Sequence, residues 1–233
     1  MTAILKREFL AYFRTPLGFV LISVMYFFTA YYFFTYNLYM NTSDTAGLFA
    51  ILFSVVLFIV PVLTMRLLSE DRRMKTDQVL LTSPVSRFGI VISKYLAAFC
   101  VYILAISGTL VMALVLEYYS QPDWPVVMGN FLGLLLLGAA LIAICLCISS
   151  LTENQVIAAA GGFAVSLFLV LIDAMQYVVR SNTLKALFRY ISWNGRYRGF
   201  TIGVIGFADL VFFISITAFF IFLTVIVLER RRW

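Results

Sequence analysis

The hydrophobic residues of the chain are gathered in six long stretches that short polar connections separate. These stretches cover residues 17–36, 46–65, 96–116, 126–148, 155–172 and 209–228. A helix needs about 20 consecutive apolar residues to cross a bilayer, and it satisfies its backbone polar groups internally. The pattern therefore predicts an all-α integral membrane protein with six transmembrane helices, arranged as a single transmembrane domain over residues 1–233.

The N-terminal segment, residues 1–15, has the pattern of an amphipathic helix. Its apolar residues lie on one helical face and its cations lie largely away from that face. The apolar residues are Leu5, Phe9, Tyr12 and Phe13, and the cations are Lys6, Arg7 and Arg14. Pro16 ends the segment, which we interpret as a helix lying in the membrane interface. A simple anchor for the first span is the alternative.

The longest charged stretch, "SEDRRMKTDQVLLTSP", connects the second and third spans at residues 69–84. Its start is interpreted as a helix N-terminus, with Ser69 as the cap and Glu70 and Asp71 in the first turn. The residues expected on one helical face are Met74, Gln78 and Leu81. The segment 69–83 is therefore predicted to be a short amphipathic helix, although a solvated loop that only sets orientation remains an equal alternative.

The composition agrees with a membrane protein and excludes several kinds of chemistry. Of the 233 residues, 63% are hydrophobic and 12% are charged, whereas a soluble domain has roughly 25% charged residues. The chain has no histidine, which is the commonest general base and metal ligand. Its three cysteines, Cys100, Cys145 and Cys147, lie in apolar stretches and are interpreted as packing residues. We expect no catalytic, metal or cofactor site in this chain.

The sequence also lacks the features that would let the chain bind ATP or drive transport without a partner. There is no G-x-x-x-x-G-K-S/T phosphate-binding loop, and the carboxylates near the spans fall at span ends rather than at mid-membrane. These carboxylates are Glu117, Glu153, Asp173 and Asp209. The closely spaced glycines Gly129, Gly133 and Gly138 favour helix packing. A secondary transporter is disfavoured, and the pattern suggests a partner that acts on residues 69–83.

The distribution of Lys and Arg predicts the orientation, because cations in short loops stay on the cytoplasmic side. Twelve cations lie at the termini and in the second connection, namely Lys6, Arg7, Arg14, Arg66, Arg72, Arg73, Lys75, Arg87, Lys94, Arg230, Arg231 and Arg232. The connections "NLYMNTSDTAG" and "EYYSQPDWP" have none. Both termini and residues 66–95 are therefore predicted to be cytoplasmic.

The segment 173–208 departs from this rule, since it should lie outside yet carries five cations. They are Arg180, Lys185, Arg189, Arg196 and Arg198. We interpret the segment as an amphipathic or re-entrant element at the outer face, with Leu184, Leu187, Phe188 and Ile191 on its apolar side. The alternative is that one of the last two hydrophobic stretches does not span.

Three blocks of sequence resemble ABC-2-type permeases, especially the subgroup associated with gliding motility and nitrous-oxide-reductase maturation. The blocks are "ILKREFLAYFRTPLGFV", "PVLTMRLLSEDRRMKTDQVLLTSPVSRFGIVISKYLAAF" and "FFISITAFFIFLTVIVLERRRW". The family commonly has Gly-Thr where this chain has Lys75-Thr76. The resemblance implies a multi-pass permease of the bacterial cytoplasmic membrane that exports its substrate. ATP and Mg²⁺ would be bound by a separate ATPase subunit, with no cofactor in this chain.

The resemblance also implies partners and sites. A second permease subunit would complete a homodimer or heterodimer in the lipid bilayer, nucleic acid would play no part, and residues 69–83 would form the coupling helix. The ATPase-coupling residues would be Glu70, Asp71, Arg72, Arg73, Met74, Thr76, Asp77, Gln78 and Leu81. A secondary ATPase contact would involve Lys6, Arg7, Glu8, Thr152, Glu153 and Asn154. A substrate path would involve Tyr26, Phe27, Tyr31, Phe34, Phe53 and Phe163.

A different class of function fits the same pattern. The chain would then be a membrane-embedded scaffold or assembly factor that anchors another complex and transports nothing. The presence or absence of a P-loop ATPase among co-purifying proteins discriminates between the two hypotheses.

Overall fold

The computed structural model describes residues 2–75, 86–119, 122–178, 185, 188 and 190–230. These ranges consist of helices joined by short turns and irregular connections, and they contain no strand. In chain order the helices are α1 (Thr2–Arg14), α2 (Pro16–Phe33), α3 (Ala46–Thr64), α4 (Ser69–Arg73), α5 (Arg87–Ile106), α6 (Gly108–Tyr119), α7 (Trp124–Leu151), α8 (Gln155–Val178), α9 (Trp193–Thr201) and α10 (Phe207–Glu229). A π-helical turn, Phe34–Leu38, extends α2.

Six helical segments in the described part are long and apolar enough to cross a membrane, as the hydropathy pattern predicts. We number them spans 1 to 6: Pro16–Leu38, Ala46–Arg73, Arg87–Tyr119, Trp124–Leu151, Gln155–Gln176 and Phe207–Glu229. Both of the last two hydrophobic stretches thus form helices of sufficient length.

Span 3 begins at Arg87, earlier than the predicted start at residue 96, because a polar side chain caps the helix. The Ser86 hydroxyl accepts a hydrogen bond from the Gly89 backbone N–H at 3.2 Å. The early start places Lys94 within the helix. Lys94, counted from the sequence among the cations of the second connection, is therefore a helical residue of span 3.

Span 4 is the central helix of the bundle, and small residues let its neighbours approach it closely. Gly138 packs against the ring of Tyr102, whose hydroxyl donates to the Leu134 carbonyl at 2.6 Å. Gly133 lies against the ring of Phe200. A side chain at either glycine would overlap these rings, so the predicted role of the glycines in helix packing is confirmed.

Span 3 is interrupted in its middle, where α5 ends at Ile106 and α6 begins at Gly108. Span 1 contacts the interruption through Tyr26, whose hydroxyl donates to the Leu104 carbonyl at 3.0 Å and lies 3.1 Å from the Ser107 hydroxyl. The Leu104 carbonyl also accepts from the Ser107 hydroxyl at 2.7 Å, so side chains of spans 1 and 3 together satisfy the carbonyl beside the break.

The connection between spans 5 and 6 contains α9, which packs its aromatic side onto the bundle. Trp193, Tyr197 and Phe200 are buried, and Tyr197 donates to the Phe49 carbonyl of span 2 at 3.3 Å. Burial raises the pKa of the Tyr197 hydroxyl. The apolar side of α9 therefore meets protein. Leu184 and Leu187, predicted on the apolar side of an outer amphipathic element, lie outside the described residues.

Ion pairs and hydrogen bonds hold the N-terminal half of α9. The Asp173 carboxylate accepts from the Asn194 N–H at 3.2 Å, and Ser192 caps the helix by accepting from the Gly195 N–H at 2.8 Å. Arg196 pairs with Asp209 of span 6 at 3.1 Å and lies 4.1 Å from the centre of the Phe212 ring. Arg196 is one of the five cations in the connection that was predicted to lie outside, and it is thus paired within the protein.

Candidate functional site

The end of the bundle where spans 1, 3 and 5 begin and spans 2, 4 and 6 end carries an interconnected group of charged side chains. We call this end the basal end. The group, called here the basal charge cluster, consists of Arg7, Glu8, Arg66, Glu70, Asp71, Arg72, Lys94 and Glu153. It joins α1, the end of span 2, α4, span 3 and the connection between spans 4 and 5.

Lys94 lies at the centre of the cluster and is almost completely enclosed. Its side chain is 1% exposed, and its ammonium nitrogen lies 2.6 Å from the Asp71 carboxylate and 3.2 Å from the Glu8 carboxylate. The same nitrogen donates to the Leu67 carbonyl at 2.5 Å. A buried ammonium requires such partners, because removing it from water is costly unless charge and hydrogen bonds are matched.

Helix α1 contributes its less exposed face to this site. Glu8 lies on that face together with Phe9 and Tyr12, whereas Lys6 and Arg14 are exposed, as the amphipathic pattern predicts. The Tyr12 hydroxyl donates to the Leu63 carbonyl at 2.8 Å. Burial, followed by the charge of Glu8, raises the pKa of Tyr12, so the phenol stays protonated and remains a donor.

Arg7 and Glu8, which are adjacent on α1, form a further ion pair of the basal charge cluster. The guanidinium of Arg7 lies 2.6 Å from the Glu8 carboxylate, and this hydrogen bond raises the pKa of Arg7. Glu8 therefore faces two cations, Arg7 on its own helix and Lys94 on span 3. Glu8, which was predicted to contact an ATPase, therefore faces the interior of the protein. A contact between α1 and a partner would have to involve the adjacent residues Lys6 and Arg7.

The end of span 2 is attached to α1 by Arg66. Its guanidinium forms two hydrogen bonds to Glu70, at 2.7 and 2.9 Å, and a third to the Thr15 hydroxyl at 3.2 Å. A bidentate arginine–carboxylate pair fixes the orientation of both side chains. Arg66 therefore holds the start of α4 beside the junction between α1 and span 1.

Ser149 of span 4 holds the opposite side of the same segment. Its hydroxyl accepts from the backbone N–H groups of Leu68 and Ser69 at 3.2 and 3.1 Å, and it donates to the Met65 carbonyl. Ser69 itself donates back to Met65 and caps nothing, since Leu68 occupies the N-cap position. The predicted cap is therefore wrong, because α4 follows α3 after a short turn at residues 65–68 and its first donors are met by Ser149.

Arg72 attaches the segment to the connection between spans 4 and 5. It donates to the Ser150 carbonyl at 3.3 Å and lies 3.4 Å from the Glu153 carboxylate. Thr152 accepts from the Asn154 N–H at 3.1 Å and gives this connection a local turn. The predicted secondary contact 152–154 is thus next to α4, although no described contact tests its proposed partner.

The chain turns sharply at Lys75, directly after α4. Lys75 has a φ of 55°, in the left-handed region that glycine adopts most readily. Met74 beside it is 67% exposed. Thr76, Asp77, Gln78 and Leu81, also predicted as coupling residues, lie outside the described residues.

The predicted substrate-path aromatics fall into two groups. Tyr26, Phe27, Tyr31 and Phe34 are exposed on span 1. Phe53, in contrast, is 4% exposed, with its ring 5.1 Å from that of Tyr197, and Phe163 packs 6.2 Å from Phe58. The structure therefore does not bring the six residues together around one cavity, and Phe53 belongs to the packed interior.

Sequence reasoning missed Lys94 as a member of the site, although a signal was present. Lys94 lies on a helical face whose other members, Ile90, Val91, Ala97 and Val101, are all apolar. Glu8 likewise interrupts the apolar face of α1 between Leu5 and Phe9. One charged residue on each of two apolar faces indicates a buried pair.

The described residues contain no group of His, Cys, Asp or Glu side chains with the geometry of a metal site. The charged side chains at the basal end form ion pairs with one another.

Comparison with known families gives one match, which extends over nearly the whole chain. A family model described as "ABC-2 family transporter protein" matches residues 17–228. No curated protein sequence matches the chain.

Proposed function

The chain belongs to the ABC-2 transporter family, and we propose that it is the membrane half of an ATP-driven exporter whose ATPase docks at the basal end. The family implies a membrane permease that works with a partner ATPase. The proposal adds the docking place, the export direction and a second permease subunit. Both termini would be cytoplasmic in the bacterial inner membrane, and the partner would bind ATP and Mg²⁺.

One observation supports docking at this place: α4 is attached to helices on both sides. Arg66 and Lys94 connect the segment to α1 and span 3, and Ser149 and Arg72 connect it to span 4. A force applied to the exposed end of this segment, at Met74, would be passed to several helices at once. A solvated loop that only sets orientation needs none of these contacts.

The charge balance at the basal end supports an acidic or mixed docking surface on the ATPase. The carboxylates Glu8, Glu70 and Asp71 are paired within the cluster, whereas Arg73 and Lys75 are exposed beside Met74. The outward side of the segment is therefore cationic with an apolar centre. Such a surface suits a groove with an apolar floor and acidic rim.

Co-purification with an ATPase tests the proposal. We expect the unchanged chain, expressed at its native level and purified under mild conditions, to bring down a P-loop protein. Met74→Asp should reduce this recovery at least tenfold, because a buried interface position cannot accept an unpaired carboxylate. Tyr118→Asp is the matched control, since Tyr118 is exposed at the opposite end of the bundle.

The outcomes separate the candidate functions. Recovery that is equal for both variants would contradict docking at Met74. The absence of any P-loop protein with the unchanged chain would contradict the exporter and favour a membrane scaffold.

A further inference from the structure

The ion pairs around Lys94 differ in length, and this difference divides the basal charge cluster into two parts. Four groups form an alternating series: Arg7, Glu8, Lys94 and Asp71. The outer links, Arg7–Glu8 and Lys94–Asp71, are each 2.6 Å long, whereas the central link between Glu8 and Lys94 is 3.2 Å. The series can therefore be separated at its centre into two pairs that are each electrically neutral.

Separation at the central link differs from separation at the other link to Lys94. If Glu8 moves away, it keeps Arg7, and Lys94 keeps Asp71 and the Leu67 carbonyl. If Asp71 moves away instead, Lys94 loses the closer of its two carboxylates and has to share Glu8 with Arg7, whose side chain is 51% exposed. A buried ammonium is costly when its closest partner is removed, so the first separation is favoured.

The packing around α1 permits the first separation. A cleft lined by Glu8, Ala11, Tyr12, Arg66, Leu67 and Glu70 lies between α1 and the end of span 2. The C-terminal part of the helix is attached firmly, because Tyr12 donates to the Leu63 carbonyl and Arg66 donates to Thr15. Residues 2–8 include no buried side chain, whereas Tyr12 is 6% exposed, so the N-terminal part of α1 is the less tightly packed part.

We propose that Lys94 is a positioning residue that keeps α4 attached to span 3 through Asp71 while its contact with Glu8 opens and closes. Span 3 and α4 then move as one unit, and the N-terminal half of α1 is a separable arm. Movement of α4 reaches span 3 through the Asp71–Lys94 pair. Only this last consequence rests on the proposed function, which supplies the ATPase that moves α4.

Hydrogen–deuterium exchange of the full chain in lipid nanodiscs tests the division. Glu8→Gln should raise amide exchange in residues 2–10 by about tenfold and leave residues 69–73 within about twofold of the unchanged chain. Asp71→Asn should have the reverse effect. Arg14→Gln, an exposed cation of α1, is the control and should change neither segment.

A charge exchange distinguishes an ion-pair role from a merely structural one. The double variant Asp71→Lys with Lys94→Asp restores the pair with α4 but places a carboxylate opposite Glu8. Residues 69–73 should regain their slow exchange, and residues 2–10 should exchange about tenfold faster, because like charges repel. A role in packing alone predicts no such rescue.

Two results would overturn the proposal. Glu8→Gln could raise exchange equally in residues 2–10 and 69–73, which would make α1 and α4 one cooperative unit. The double variant could also fail to slow exchange in residues 69–73 relative to Asp71→Asn. Neither measurement requires an ATPase, so failure to recover an ATPase would contradict the proposed function and leave this inference standing.

Discussion

Lys94 and Lys75 illustrate how the position of a residue in the fold decides what its charge does. Both were counted from the sequence as cations that set the orientation. Lys75 is exposed and does fit that role, whereas Lys94 is enclosed by Glu8, Asp71 and the Leu67 carbonyl. A buried charge acts through its partners, so its removal has consequences that the removal of an exposed charge does not have.

Replacement of Lys94 should destabilise the protein strongly. Lys94→Met leaves two carboxylates facing each other without the ammonium between them, and we expect a loss of about 3–5 kcal/mol of unfolding free energy. Unfolding in mixed micelles, followed by circular dichroism, measures this loss. Lys6→Met, at an exposed position of α1, should cost less than about 0.5 kcal/mol. Equal stability of the two variants would contradict burial of the Lys94 charge.

The backbone at Lys75 predicts a gain of stability. At a φ of 55° a non-glycine residue is strained by roughly 1–2 kcal/mol, so Lys75→Gly should raise the unfolding free energy by about 1 kcal/mol. Lys75→Ala removes the same charge but keeps the Cβ, and it should give no gain. The same micelle titration compares the two variants, and a gain with alanine would show that charge, not backbone strain, is responsible.

At the scale of helices, contacts between neighbouring elements depend on small side chains and on single hydrogen-bonding groups. Span 4 provides both, through Gly133 and Gly138 in its middle and Ser149 at its basal end. Small residues let helices approach, and a hydroxyl can satisfy the donors that a helix start leaves without partners.

Gly138→Ala should be poorly tolerated, because its Cβ would overlap the ring of the fully buried Tyr102. Overpacking of this kind costs about 1–3 kcal/mol, and the melting temperature of the purified protein should fall. Gly199→Ala is the matched control, since the nearest atom to its Cβ would be 3.4 Å away, in ordinary contact. The double variant Gly138→Ala with Tyr102→Leu should recover part of the loss; a lack of recovery would place the clash elsewhere.

Ser149→Ala should loosen the start of α4. The substitution removes the acceptor for the N–H groups of Leu68 and Ser69, and each buried donor left unsatisfied costs about 1–3 kcal/mol. Ser150→Ala is the control, because its hydroxyl only donates to Cys147 within its own helix. Hydrogen exchange at residues 68–73 should accelerate in the first variant alone, and similar rates in both would contradict this role of Ser149.

At the scale of the whole molecule, the six spans divide the charged groups between two ends. The basal end carries the cluster around Lys94, and the opposite end carries α9 with the Arg196–Asp209 pair. Exposed cations such as Arg73 and Lys75 lie at the basal end, which favours a cytoplasmic location for it.

Labelling with an impermeant thiol reagent tests this orientation. In a chain whose Cys100, Cys145 and Cys147 are replaced by alanine, Tyr118→Cys should react in intact cells, since Tyr118 is 86% exposed at the end opposite the cluster. Met74→Cys, at the basal end, should react only after the cells are permeabilised. The reverse pattern would invert the topology, and labelling of both sites in intact cells would contradict a sealed arrangement.

The class of protein, the six spans and the amphipathic face of α1 could all be predicted from the sequence. These features depend on local information, because a spanning helix needs only enough consecutive apolar residues and internal backbone hydrogen bonds. The spacing of Gly133 and Gly138 likewise indicated close packing, but it could not name Phe200 and Tyr102 as the rings that fill the space.

The pairing of the charges and the attachment of the start of α4 depend on the three-dimensional arrangement of the helices. Glu8, Asp71 and Lys94 are far apart in the chain, and their attraction is strong because folding places them together in a buried site. The role of Ser149 likewise depends on folding, because its hydroxyl, and not that of Ser69, accepts a hydrogen bond from the backbone N–H at the start of α4. The sequence shows that residues 69–84 are polar. The attachment of α4 to helices on both sides depends instead on distances that no local pattern contains.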